Sequence, residues 1–432
     1  METILQVALD FVDLKRALKI AHEAASGGVD WIEAGTPLIK SEGLDCVREL
    51  KNSFPRHRIV ADMKIVDTGR FEVEAAAKAG ASIVTVLAVA DDSTIKEAVK
   101  AGKNIGCEIM VDLIGVDDAV ARALEVEALG VDYVCVHLSI DQQMKGLDAI
   151  AQLRKVARDV KIPVAIAGGI NSETASGAVK AGAGIVIIGG AITKADDAAK
   201  ATRILKDALK TGKKVKTGLY KKYLNPLVAF SKASTANISD AMHRSGEMQG
   251  VRDVSGHKMI GRAVTVRTSG GDWAKPVEAI DLADEGDVIV IDAGGSTIAV
   301  WGELASESAK KRKVAGVVID GAIRDLKDIK EIGFPAFARH VTPTAGEPRG
   351  FGEINVAIKC GNILVRPGDY VIGDSDGVVV VPKENAVETA NRAQDILERE
   401  NRMRSEIRKG STLSKVGELK KWEKGEGCSN PR

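Results

Sequence analysis

Eight short apolar runs recur through the first half of this chain, each followed by a stretch of helical periodicity, and that alternation leaves few folds open. The runs are Ile4–Asp10, Asp30–Gly35, Arg58–Lys64, Ser82–Ala88, Gly106–Leu113, Asp132–Leu138, Pro163–Gly169 and Gly184–Gly190. Near-continuous apolar strands are buried on both faces, as in a parallel sheet, and parallel strands need crossover helices. Eight such units predict a closed (β/α)8 TIM barrel over residues 1–210; an open doubly wound sheet is the competing arrangement.

The remaining residues of the 432 change in style. Residues 211–232 include KTGKKVKTGLYKKY, which has no apolar face of core width and reads as a basic, solvated linker. Residues 233–408 predict a second, mixed α/β domain. Its strands are Ala263–Arg267, Asp287–Ala293, Gly316–Asp320, Asn362–Val365, Asp369–Ile372 and Gly377–Val381, and it ends in a charged helix, Glu384–Arg408, with an apolar stripe. Residues 409–432 read as a flexible tail. A formal net charge of +1 points to neither a nucleic acid nor a membrane surface as main partner. Cys46, Cys107, Cys135, Cys360 and Cys428 form no CxxC pair and no zinc spacing. Buried, reduced thiols and the lack of a signal peptide or membrane-length apolar run make a soluble, cytoplasmic protein the expectation.

In a barrel of this kind chemistry is carried at the C-terminal ends of the strands. Read in order, those ends offer Asp10, Glu33, Asp62 with Lys64 and Asp67, Asp112, His137, and the pairs Gly168-Gly169 and Gly189-Gly190. Asp62 and Lys64 stand two apart, which on a regular strand turns both side chains the same way. A lysine between carboxylates stays protonated and can sit on a developing oxyanion. Glu33 and Asp62, on neighbouring strands, suit Mg²⁺, which takes few protein oxygens and keeps its waters. The competing reading is an Asp62–Lys64 salt bridge. Glycine pairs ending strands seven and eight let backbone N–H groups approach a phosphate, against the alternative of plain turn glycines. His137 at a strand end suits proton transfer, against the alternative of a core histidine.

The segments LQVALD, DWIEAGTPLIKSEG, ADMKIVDTG, VTVLAVADD, VCVHLS, VAIAGGI and IVIIGGAIT resemble the 3-hexulose-6-phosphate synthases of the orotidine-monophosphate-decarboxylase superfamily, across essentially all of residues 1–210. That resemblance implies Glu33 and Asp62 as Mg²⁺ ligands. It implies Lys64 and Asp67 as the catalytic pair, with Asp67 given across a dimer interface, Asp10, Asp112 and His137 as substrate contacts, and the glycine pairs as the phosphate site. The substrates implied are a sugar phosphate, ribulose 5-phosphate, and formaldehyde. The related 3-keto-L-gulonate-6-phosphate decarboxylases share EAGT and the DxKxxD motif. They tend to carry Glu where this chain has Asp112, and Arg shortly after the His; here Leu-Ser-Ile-Asp follows His137.

In the second domain, Asp292-Ala-Gly-Gly-Ser-Thr-Ile-Ala-Val-Trp-Gly-Glu303 reads as a glycine turn leading into a helix, where N–H groups at the helix start, with Gly295 the residue singled out, can hold a carboxylate. Arg324 would then hold a keto oxygen and Asp325 a divalent metal, Mg²⁺ or Mn²⁺, suiting a 2-oxo acid; a surface Arg–Asp pair on a structural turn competes. From Ile238–Met242 through Gly373–Pro382 the chain resembles the family of ribonuclease E activity regulators and 4-hydroxy-4-methyl-2-oxoglutarate aldolases. Arg324-Asp325 matches the aldolase branch, whereas Ser296 stands where the enzymes often carry Asp. Three duties follow: a 2-oxo-acid aldolase or decarboxylase, a non-catalytic regulator of RNA processing, or an oligomerisation module. Trimers of that family and dimers of the barrel imply a homo-oligomer, with a hexamer the expected size.

Overall fold

The eight apolar runs become strands β1 (Ile4–Leu9), β2 (Trp31–Ala34), β3 (Arg58–Ile65), β4 (Ile83–Leu87), β5 (Glu108–Asp112), β6 (Tyr133–His137), β7 (Val164–Ala167) and β8 (Ile185–Ile188). In the computed structural model, which describes residues 2–423, they are all parallel, pair in sequence order and close from β8 back to β1. Alternation along β1 shows why: Leu5, Val7 and Leu9 pack into the layer between strands and helices, while Gln6 and Ala8 turn inward. The barrel interior is filled by such residues as Trp31, Val60, Ile83, Met110, Cys135 and Ile185. It is a packed core that opens only at its C-terminal mouth.

The chain divides into two compact units. The first is Met1–Gln143, Leu147–Lys222 and Glu398–Arg432; the second is Met144–Gly146 and Tyr223–Leu397. In the second unit the strands are β9 (Arg252–Asp253), β10 (Met259–Thr268), β11 (Val288–Asp292), β12 (Gly316–Ile323), β13 (Ala336–Val341), β14 (Gly352–Ile354), β15 (Ile358–Cys360), β16 (Ile363–Val365), β17 (Tyr370–Asp374) and β18 (Gly377–Val381). The sheet order is β18-β17-β10-β11-β12-β13-β9, with parallel pairing from β10 to β13 and antiparallel strands on either side. Ile289 and Ile291 pack on one face of β11, and Val288 and Val290 on the other. This is the expected mixed sheet.

Three expectations need correction. Residues 211–232 do not form a separate linker: the division falls after Lys222, and residues 213–222 are tied to the barrel loops. The long helix, Ala386–Arg408, begins with an apolar stripe of Ala386, Ala390 and Ala393, but buries Thr389, Asn391 and Gln394 beside it. Within the first unit the helix carries Glu398, Arg402 and Glu406, all buried. Arg402 is held there by Glu406 at 2.8 Å and Glu23 at 3.0 Å, so paired charge replaces apolar packing. The stretch after Arg408 is also not loose as far as Glu423: Leu413–Val416 and Leu419–Trp422 are helical, Val416 is buried, and Lys421 pairs with Glu42 at 2.9 Å. Residues 424–432, with Cys428, lie outside the described residues. The other four cysteines are buried and unpaired, as expected. Among the described residues no helix is long and apolar enough to cross a membrane.

Candidate active site

The mouth of the barrel holds a cavity of about 380 Å³. Asp10, Glu33, Asp62, Lys64, Asp112, His137 and all four paired glycines line it, so nearly every strand-end residue singled out from the sequence converges there. Lys64 is the hub. Its Nζ lies 3.0 Å from Asp62 Oδ2 and 3.0 Å from Asp112 Oδ2. Burial opposes its charge, but Asp62, Asp112 and Glu33 outweigh burial and raise Lys64 above the ordinary lysine range. It therefore stays an ammonium at neutral pH.

Lys64 reaches this position by a different route from regular strand alternation. The β3–β4 pairing loses its register between Ala61 and Ile65, and Lys64 itself is left-handed, with φ 48°. Left-handed backbone at a long side chain costs roughly 1–2 kcal/mol and persists only where surroundings enforce it. Here Thr85 does so: its hydroxyl oxygen accepts from Lys64 N at 3.1 Å and donates to Asp62 Oδ1 at 2.8 Å. Thr36 Oγ1 donates to Asp62 Oδ2 at 2.6 Å, and Gln6 Nε2 to Glu33 Oε2 at 2.6 Å. Thr85 and Gln6 had a signal in the sequence, as lone polar residues inside the apolar runs IVTVL and ILQVAL.

Asp112 and His137 form a second couple, with His137 Nδ1 2.8 Å from Asp112 Oδ2. Burial alone would raise Asp112. The His137 hydrogen bond, with the charges of His137 and Lys64, reverses that and holds it below the ordinary aspartate range. Tying up Nδ1 orients the ring and leaves Nε2 for a ligand.

For the acids on the other side of Lys64, burial outweighs the relief given by Lys64 and, at Glu33, by Gln6. Burial, then the Asp62 and Asp10 carboxylates, push Glu33 well above its usual range. Asp10 is reachable from the mouth, yet the protein around its carboxyl strips enough water to raise it, with Asp62 the next cause. Gln6 Oε1, on the same wall, is buried without a hydrogen-bond partner. Asp10, Glu33 and Asp62 thus make a pocket of excess negative charge that fits a divalent cation. Among the described residues no three His, Cys, Asp or Glu side chains already converge on one ion position. A hard cation such as Mg²⁺ takes one or two carboxylates and keeps several waters.

Asp67 is not brought into this cavity. It is exposed, accepts a hydrogen bond from Thr68 N at 2.7 Å, and lines a separate shallow groove with Phe71, which is 74% exposed. Conversely, Tyr220 and Gln143 line the cavity although nothing in the sequence singled them out.

In the second unit a cavity of about 350 Å³ is lined by Trp273, Trp301, Gly302, Glu303, Arg324 and Asp325, among others. Asp325 is left-handed, φ 59°, and its Oδ2 accepts from Glu303 N at 3.2 Å beside Arg324 Nε at 3.3 Å. The role expected near Gly295 falls elsewhere. The helix after β11 begins only at Glu303, so Gly302 and Glu303 are the residues beside Arg324. Gly295 instead donates to Asp320 O at 3.0 Å and does not line this cavity. Asp325 and Glu303 are the acids available there for a divalent cation.

Residues 3–204 match the family described as Orotidine 5'-phosphate decarboxylase / HUMPS, and residues 235–380 match the RraA-like family described as Aldolase/RraA. Over 209 residues the chain is 41% identical to the 3-hexulose-6-phosphate synthase of Bacillus subtilis (strain 168), which spans 48% of this chain and 99% of that protein. It is 42% identical over 205 residues to the 3-hexulose-6-phosphate synthase of Mycobacterium gastri, again 48% of this chain and 99% of the relative. A crystal structure of a 3-hexulose-6-phosphate synthase, 43% identical, covers 48% of this chain and 99% of its own, with a TM-score of 0.46.

Proposed function

The chain belongs to the 3-hexulose-6-phosphate synthase family, and from that premise we propose that its barrel joins formaldehyde to ribulose 5-phosphate at the Asp62–Lys64–Asp112–His137 cluster. The observation that carries this reading is an ammonium bridging two buried carboxylates in a cavity also lined by both glycine pairs. Gly168, Gly169, Gly189 and Gly190 hold the phosphate through the backbone. His137, oriented by Asp112, removes a proton from C1 of the sugar through Nε2. The electron pair left at C1 forms the bond to the formaldehyde carbon, and the formaldehyde oxygen takes up a proton. Lys64 holds the negative charge that develops on the sugar oxygens before that bond forms. Mg²⁺, held by Glu33 and Asp62 with Asp10 nearby, would supply Lewis-acid polarisation of the ketone and its neighbouring hydroxyl. Asp67, exposed beside Phe71, serves the site of a second copy of the chain.

The test is incubation of the full chain with ribulose 5-phosphate, formaldehyde and Mg²⁺, following formaldehyde loss and hexulose-phosphate formation. Asp62→Asn and a chelator should each cut the rate by about 10²-fold or more. Release of CO₂ from 3-keto-L-gulonate 6-phosphate, with no formaldehyde consumed, would move the chain to the decarboxylase reading. Asp112 and the Leu-Ser-Ile-Asp that follows His137 stand against that reading.

For the RraA-like domain we propose metal-dependent cleavage or decarboxylation of a 2-oxo acid. Arg324 would hold the keto acid, and Asp325 with Glu303 a Mg²⁺ or Mn²⁺ ion. Its support is the left-handed Asp325 held against Arg324 beside an open cavity. Full-length protein should release CO₂ from oxaloacetate with Mg²⁺, and Asp325→Asn should reduce that rate about 10²-fold without touching the barrel reaction. Equal rates in the two proteins would leave a regulatory or assembly role for this domain.

A further inference from the structure

The chain continues past the last barrel helix, Ala198–Thr211, and runs back over the loops that follow β7 and β8. Val215 N donates to Ser172 O at 3.1 Å, and Ser172 Oγ donates to Val215 O at 2.8 Å. Asn171 Nδ2 donates to Tyr220 O at 3.1 Å, and Tyr220 N donates to Glu398 Oε1 at 2.8 Å. Fastened on both sides, Tyr220 adopts a left-handed backbone, φ 54°, that a free tyrosine avoids.

This conformation puts the ring on Gly190, just beyond the end of β8. A Cβ added to Gly190 would run into Tyr220 Cε2. The hydroxyl donates to Gln143 Oε1 at 3.2 Å. Gln143 in turn covers the other pair: a Cβ on Gly168 would come 2.7 Å from Gln143 Nε2. One hydrogen-bonded couple thus spans both glycine pairs, and both of its members line the cavity. The Lys194 and Lys222 ammonium groups lie 5.1 and 4.4 Å from the ring centroid, adding positive charge at the same end. The family match ends at residue 204, so this strap lies outside it.

We propose that Tyr220 is a substrate-binding residue of the synthase site, its ring closing the cavity over the phosphate of the sugar phosphate, so that chain beyond the barrel completes the pocket. The proposal rests on the synthase reading for the identity of the sugar, but not on turnover. The full-length protein with Mg²⁺ is titrated calorimetrically with ribulose 5-phosphate and, separately, with inorganic phosphate, and KM and kcat are measured alongside. Tyr220→Ala should weaken both ligands about tenfold, and Tyr220→Phe about threefold, the span expected for lost packing and one hydrogen bond. KM for ribulose 5-phosphate should rise in step, with kcat and the KM for formaldehyde within about twofold of wild type. Unchanged or tighter binding in Tyr220→Ala overturns the proposal, tighter binding meaning that the ring obstructs the pocket. If Tyr220→Ala does not fold, Tyr220→Leu and Tyr220→Phe decide, and unchanged affinity in both overturns it. Wild-type binding without turnover would sink the synthase reading alone, whereas normal turnover with unaltered affinity in the variants would sink only the role of Tyr220.

Discussion

Lys64→Met should lower kcat by about 10³-fold while the protein still binds ribulose 5-phosphate, because the lost charge is the one that meets the developing oxyanion. Methionine keeps the length of the side chain and removes only the ammonium. Two carboxylates, Asp62 and Asp112, then lose a partner at 3.0 Å each. Leaving buried acids unpaired costs stability, here about 1–3 kcal/mol, so the melting temperature should fall by several degrees. The two effects separate by experiment. Lys64→Arg retains the charge and most of the stability, but its fork does not fit between carboxylates set around a single nitrogen, so kcat should stay low. If Lys64→Met kept more than a tenth of the wild-type rate, Lys64 would be a structural ion pair and the mechanism above would fail.

Mg²⁺ binding should release protons and should weaken as the pH is lowered, with Glu33 the main source of both effects. Burial and the Asp62 and Asp10 carboxylates raise Glu33 well above its ordinary value near 4.5. A group raised in the folded state contributes its stability below its unfolded value and loses that contribution as pH rises through the folded value. Metal-free protein should therefore lose stability as the pH climbs from about 4.5 through the raised value of Glu33, and Mg²⁺ should restore it by balancing the carboxylates. Glu33→Gln removes the ionising group. It should flatten that pH dependence, stabilise the metal-free protein at neutral pH, and weaken Mg²⁺ by about 10²-fold. Calorimetry in two buffers of different ionisation enthalpy reads the proton release directly. No difference between the buffers, together with Mg²⁺ affinity unchanged in Glu33→Gln, would remove Glu33 from the metal site.

Much of this was legible in the chain before folding, for a physical reason. A strand end of an eight-stranded parallel barrel has one destination, the mouth, so a polar residue closing an apolar run is placed without further knowledge. Asp10, Glu33, Asp62, Asp112, His137 and the two glycine pairs all meet in one cavity on that argument. Alternation along β11, with neighbours packing into opposite cores, made the second sheet legible in the same way.

What sequence could not supply were contacts between segments far apart in the chain. Lys64 reaches its acids through a lost register and a left-handed backbone held by Thr85, not through simple alternation. Gly295, singled out within the turn, does not line the second cavity; Gly302 and Glu303, at the start of the helix, stand there beside Arg324. Arg402 lies in a stripe expected to be apolar because its charge is answered by Glu23, distant in sequence. Tyr220 sits in a basic stretch with the composition of a linker, and hydrogen bonds with Asn171, Gln143 and Glu398, distant in sequence, carry it into the site. Periodicity and strand-end chemistry are local properties, so the chain alone determined the barrel, the mixed sheet and most of the cluster at the barrel mouth. Pairing across long separations depends on which surfaces meet, and the tertiary structure alone decided the strap, the buried charges of the long helix and the true edge of the second cavity.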